Sequence, residues 1–190
     1  MKAVGTLPEG YKEYYSIDLQ KDKKKSLLVN GLAILIAVVL VVPVLFVIPI
    51  FTIYSGETSF FVKWLVLILS LVGYLILHEM VHGIAMKSCG TKKVKYGFTG
   101  MYAFAGSDDH YDKSAYIYIA LAPVVLFGIL LAIACFLVPE EWFWIVYTVQ
   151  VTNLSGAAGD LYVTVKFSRF PKDILVKDHG VGMTVFSKEQ

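Results

Sequence analysis

Four long apolar runs, separated by polar links, organise this chain. They extend from about Leu27 to Ile53, Phe60 to Met86, Ala115 to Val138 and Trp142 to Phe167. Roughly 20 apolar residues cross a bilayer as a helix, so each run is long enough to be a span. Pro43, Pro49 and Pro123 fall inside the runs, a placement that membrane helices tolerate. The fourth run is the least pure, carrying Gln150, Asn153, Ser155 and Asp160. The pattern predicts an all-α membrane protein of four transmembrane helices. Residues 1–26 form an N-terminal segment, 27–167 the membrane domain (core 60–167) and 168–190 a C-terminal tail. "KDKKK" before the first run looks like the start of a signal sequence. The run is too long for a signal peptide's apolar region, however, and no small-residue cleavage site follows it. A retained helix is expected.

The lysines between the runs supply an orientation, because cytoplasmic loops of membrane proteins carry an excess of Lys and Arg. Lys21, Lys23, Lys24 and Lys25 precede the first run, Lys87, Lys92, Lys93 and Lys95 follow the second, and Lys166, Arg169 and Lys172 close the fourth. The intervening links, "SGETSFFVK" and "PEEW", are nearly neutral and acidic. A multi-pass protein of the cell membrane follows, with both termini and the second-to-third link cytoplasmic. That link contains "KVKYGFTGMYAFAG", whose partial alternation and glycines suit a strand or hairpin. The tail holds short extended pieces, "DILV" and "MTVF".

Composition agrees with a bilayer as the solvent. Of 190 residues, 57% are hydrophobic, and the mean hydropathy is +0.66, where a soluble domain is about half apolar. The net charge is only +2, with no basic block interleaved with aromatics, so nucleic acid is not an expected partner. The two cysteines, Cys89 and Cys135, form no CxxC pair and indicate no disulfide framework.

Polar side chains inside such runs are costly and mark function. "HEMVH" places His78, Glu79 and His82 near the end of the second run. Residues four apart share a helix face, so both imidazoles can face one ion, and imidazole nitrogen is a favoured zinc ligand. Glu79 can then take a proton from an activated water and pass it to a leaving amine. This is the H-E-x-x-H pattern. A buried polar cluster bonding to neighbouring helices is the alternative.

A catalytic zinc needs a third protein ligand. An extended motif with a third histidine is excluded by Ala85 and Ser88, and Glu140 and Glu141 belong to the opposite membrane face. Asp160 lies 18 residues after Trp142, as His78 lies 18 after Phe60. At 1.5 Å per residue both sit about 27 Å from the same face, so their depths match. His110, beside Asp108 and Asp109, is another candidate ligand, with a solvated loop as its simpler reading. His179 suits a surface turn. Asn153, seven residues before Asp160 among the small residues of "NLSGAAGD", can bond a substrate backbone or an oxyanion, or simply a neighbouring helix. Tyr74, one turn before His78, can line the site or serve as packing.

"HEMVHG", "YIYIALAPVV" and "TNLSGAAGD" on successive helices resemble the membrane metallopeptidases related to site-2 proteases. The layout is more closely similar to a family of small bacterial membrane zincin peptidases, long classed as a domain of unknown function. The similarity covers about Phe60 to Phe167, and the tail "FPKDILVKDHGVGMTVF" also looks like that family. The resemblance implies a three-helix catalytic core, zinc near the cytoplasmic side, and cleavage of membrane proteins or peptides in or near the bilayer. Carried over residue by residue, His78, His82 and Asp160 would be the ligands, Glu79 the base, and Asn153 would serve the substrate. Two departures stand out. Gly156 is near the place where site-2 proteases usually carry proline, and Leu161 follows the aspartate where they usually carry glycine. The other expectations are a non-catalytic membrane protein with a structural metal or a partner-helix role, and a small transporter, which the lack of an internal repeat disfavours.

Overall fold

The computed structural model describes residues 3–18, 20–100, 103–180 and 182–188. Residues 1, 2, 19, 101, 102, 181, 189 and 190, which belong to the expected N-terminal segment, central link and tail, lie outside the described residues. Three helices are long and apolar enough to cross a membrane: α1 (Lys23–Leu45), α2 (Phe60–Ser88) and α3 (Lys113–Leu137). In α1, Val29 alone is buried, and apolar side chains such as Leu27, Ile34 and Val39 are exposed around it. A helix apolar on all sides needs a nonaqueous surround. The side chain of Asp22 caps α1 by accepting from the Lys25 N–H at 3.1 Å, and Asp112 caps α3 by accepting from the Ala115 N–H at 2.8 Å.

The expected single helix from Trp142 to Phe167 is divided. It forms α4 (Glu140–Gly156) and α5 (Ala158–Ser168), which meet at Ala157. Glycines weaken a helix, and "SGAAG" supplies two within four residues. Upstream, the hydroxyls of Thr148, Thr152 and Ser155 each donate to the carbonyl four residues back, a bonding pattern that bends helices.

The all-α expectation is corrected by two sheets. A five-stranded antiparallel sheet has the order β1-β5-β6-β7-β2, from Ala3–Val4, His110–Asp112, Leu175–Asp178, Gly182–Ser187 and Lys12–Asp18. The expected hairpin is separate, with β3 (Lys95–Phe98) paired to β4 (Ala103–Gly106). The short strands gain their stability from non-local partners and from packing on helices, so no local pattern announces β1, β2 or β5. The extended pieces expected in the tail become β6 and β7.

The sheet joins the three segments whose lysines assigned them to one side. β1 and β2 come from the N-terminal segment, β5 from the central link and β6–β7 from the tail. Beneath it lies the core, where Tyr111, Val176 and Val185 of the sheet meet Met86, Ala115, Ile119 and Phe167 of the helices. At the other end the two remaining links meet. The fully buried Lys63 Nζ donates to the Ile53 and Ser55 carbonyls at 3.2 and 2.6 Å and to Glu141 Oε2 at 2.9 Å.

Candidate metal centre

The site forms where the C-terminal half of α2 faces the first turn of α5. His78 and His82 project from one face of α2, their ring centroids 4.9 Å apart. The break at Ala157 starts a new helix just before Asp160, where a carboxylate is favoured by the exposed N–H groups and dipole of a first turn. Asp160 Oδ2 lies 3.6 Å from His78 Nε2 and 3.7 Å from His82 Nε2. Ligating atoms of His78, Glu79 and His82 also lie within 4.8 Å of one another. Adjacent ligands of a tetrahedral zinc at about 2.0–2.1 Å are about 3.3–3.4 Å apart, so Asp160 Oδ2 stands within a few tenths of an ångström of that spacing from each nitrogen.

The tautomer of His82 suits this use. Its Nδ1 lies 2.9 Å from the Ile119 carbonyl, which can only accept, so Nδ1 carries a proton and Nε2 is the nitrogen turned towards Asp160. Such outer partners fix the orientation of ligating imidazoles. His78 Nδ1 lies 2.8 Å from the Tyr74 hydroxyl, which donates to Asn153 Oδ1 at 3.1 Å. The Asn153 amide donates in turn to the Val124 carbonyl at 3.2 Å. Asn153 is fully buried. Of its two sequence readings, interhelical bonding is the one this geometry displays.

Above the two histidines lies a cavity of about 470 Å³, bounded by helices on one side and by the hairpin and sheet on the other. Glu79 lines it, and the Ala105 N–H of β4 donates to the Glu79 carboxylate. The hairpin is seated on α2 at Gly83, where an added Cβ would fall 1.9 Å from the Tyr96 hydroxyl. Two further polar groups reach the cavity from outside the motif. Tyr116 of α3 donates to Asp178 Oδ2 of β6 at 2.9 Å, and Asp178 Oδ1 accepts from the Gly180 N–H at 2.7 Å. Burial raises the Asp178 carboxyl above its ordinary 3.8, against the lowering effect of those two bonds.

Other sequence candidates lie elsewhere. His110 is held in β5, edge-on to Phe186 at 5.6 Å, away from the cavity lining. Asp108 pairs with Lys95 at 2.7 Å in the open, and His179 is exposed in the β6–β7 turn. Glu141 is engaged with Lys63 at the opposite end. Sequence reasoning passed over Tyr116, Asp178 and the Ala105 N–H, because only the non-local sheet and hairpin bring them here. Tyr74 carried a readable signal, since it precedes His78 by four residues on the same helix face.

A family model described as "Putative zincin peptidase" matches residues 71–175. The chain belongs to this family. The matched region of this zincin-peptidase family member runs from just before the paired histidines through α5 to β6. The chain is also 30% identical over 125 residues to an uncharacterised 24.7 kDa protein of Pyrococcus woesei, described as lying in the gap 5′ region. The match covers 62% of this chain and 53% of that protein, so the chain spans about half of its length. No solved structure matches the chain. The family's description points to zinc, and imidazole and carboxylate donors suit that ion.

Proposed function

We propose that this chain is a zinc-dependent, membrane-embedded endopeptidase that hydrolyses peptide bonds in or near the bilayer, as site-2 proteases do. The observation that carries the reading is the convergence of His78 Nε2 and His82 Nε2 on Asp160 Oδ2 beside Glu79. His78, His82 and Asp160 would hold the ion. When bound, zinc supplies a Lewis acid and lowers the pKa of water to about 7.

Glu79 borders the cavity next to the two imidazoles. It accepts the proton of the attacking water and returns it to the leaving amine. The edge of β4 turned away from β3 passes beside Glu79, and an extended substrate would pair along that edge. For that to happen the substrate must reach the cavity between bilayer and sheet, so membrane proteins or peptides are the substrate class. The cytoplasmic assignment of both termini belongs to the same proposal.

The test compares wild-type protein with Glu79→Gln, His82→Ala and Asp160→Ala. Glu79→Gln should retain zinc and lose cleavage by about 10²–10⁴-fold, the usual contribution of a general base. Membrane proteins should accumulate in cells carrying that variant. His82→Ala and Asp160→Ala should lose zinc. Full zinc content in Asp160→Ala defeats the ligand set. Glu79→Gln with unchanged membrane protein levels favours a non-catalytic metal site.

A further inference from the structure

We propose that Tyr74 and Asn153 are positioning residues that lock His78 in its Nδ1–H tautomer, through a hydrogen-bond chain whose direction is set by the Val124 carbonyl. The inference rests on the reading of His78 as a metal ligand.

The direction follows from counting protons. A backbone carbonyl only accepts, so the end of the Asn153 amide that faces Val124 O at 3.2 Å must be Nδ2. That leaves Oδ1 towards Tyr74, 3.1 Å from its hydroxyl. The hydroxyl has one proton and gives it to Oδ1. It then has only lone pairs for His78 Nδ1 at 2.8 Å, so Nδ1 must bring the proton to that contact. Nε2 is thereby the nitrogen left for an ion, on the side that faces Asp160. Reversing the chain would set the Asn153 oxygen against the Val124 oxygen.

Burial makes the direction binding. Tyr74 is 6% exposed, His78 8% and Asn153 0%. Water cannot readily replace a missing partner there, and an unmatched polar group in such surroundings is costly. The two histidines thus reach the same tautomer by different means. His82 uses the Ile119 carbonyl of α3 directly, whereas His78 uses a side-chain relay to the Val124 carbonyl of the same helix. Asn153 acts through Tyr74 and holds its side chain between α2 and α3.

The test is ¹⁵N NMR of imidazole-labelled, metal-free protein in detergent micelles, with zinc affinity measured by chelator competition. At an alkaline pH where the imidazoles are neutral, wild-type His78 Nδ1 should carry the proton and Nε2 should show the shift of an unprotonated ring nitrogen, and the variants are compared at that same pH. Tyr74→Phe removes one oxygen and little volume. It should mix or invert the His78 tautomer, leave His82 unchanged, and weaken zinc binding about 10–100-fold, as loss of an outer partner does. Asn153→Ala should loosen the His78 tautomer with Tyr74 still present. An unaltered His78 signal in Tyr74→Phe overturns the proposal, whether zinc affinity falls or not, because packing alone would leave the tautomer in place. A disturbed His82 signal marks general unfolding and counts against a specific role. The metal-free spectrum does not depend on peptidase activity, so failure of that function and failure of this relay give different results.

Discussion

Asp178 shows how a single side chain couples the sheet to the site. Its carboxyl titrates above the ordinary value because burial opposes ionisation more than the bonds from Gly180 and Tyr116 favour it. The sign follows directly. The folded form binds this proton more tightly than the unfolded chain, so the contribution of Asp178 to stability falls as pH rises from about 3.8 through the raised folded value. Asp178→Asn keeps an acceptor for the Gly180 N–H and removes the charge. In thermal unfolding of detergent-solubilised protein at pH 7, this variant should melt at or above the wild type. The gap should shrink as pH is lowered towards 4, and a gap independent of pH would refute the argument. Lys63 presents the opposite case. Its ammonium is fully buried yet bonded to two carbonyls and Glu141. Lys63→Met strips three partners at once and should destabilise the protein by about 2–3 kcal/mol in denaturant melts. Glu141→Gln should cost less, since that side chain is 23% exposed and can turn to water.

At the scale of elements, the break between α4 and α5 matters most. The sequence made Asp160 legible, because a carboxylate in an apolar run at the depth of two histidines wants a partner. It did not make the break legible, because "SGAAG" reads equally well as a stripe for close helix approach. The structure uses the same residues to end one helix and begin another, which turns Asp160 towards α2. Neither Gly156 nor Gly159 has a neighbouring atom within 4 Å of where a Cβ would stand, and neither has a positive φ. Alanine therefore fits at both, and helix propensity would favour it by about 0.8–1 kcal/mol per site. The double variant Gly156→Ala/Gly159→Ala should melt no lower than wild type and bind zinc more weakly, because a continuous helix rotates Asp160 away from His78. Unchanged zinc affinity in chelator competition would show that the glycines do not cause the break. The hairpin allows a parallel check. Gly83→Val removes the notch that seats Tyr96 and should raise protease sensitivity in the central link while α2 stays folded.

Across the whole molecule, the charge pattern and the sheet group the same three segments. Lysine placement assigned the N-terminal segment, the central link and the tail to one face. The five-stranded sheet contains strands from all three and from nowhere else among the described residues. The sheet itself was not legible, because its strands are two to seven residues long and pair across most of the chain. The pairing nevertheless requires its three source segments to share a side. The links that lack basic excess meet at the opposite end, through Lys63 and Glu141. Three helices are long enough to span, and we propose that the divided α4–α5 segment makes a fourth crossing, which returns the tail to the side of the sheet. Single cysteines placed in a background lacking Cys89 and Cys135 test this. With an impermeant maleimide on intact cells, Glu57→Cys and Glu140→Cys should label. Lys24→Cys, Lys92→Cys and Lys172→Cys should label only after permeabilisation. Labelling of Lys172→Cys from outside would mean that α4–α5 does not cross. The sheet would then have to form from segments on opposite faces, which its hydrogen-bonded pairing of β5 with β6 forbids.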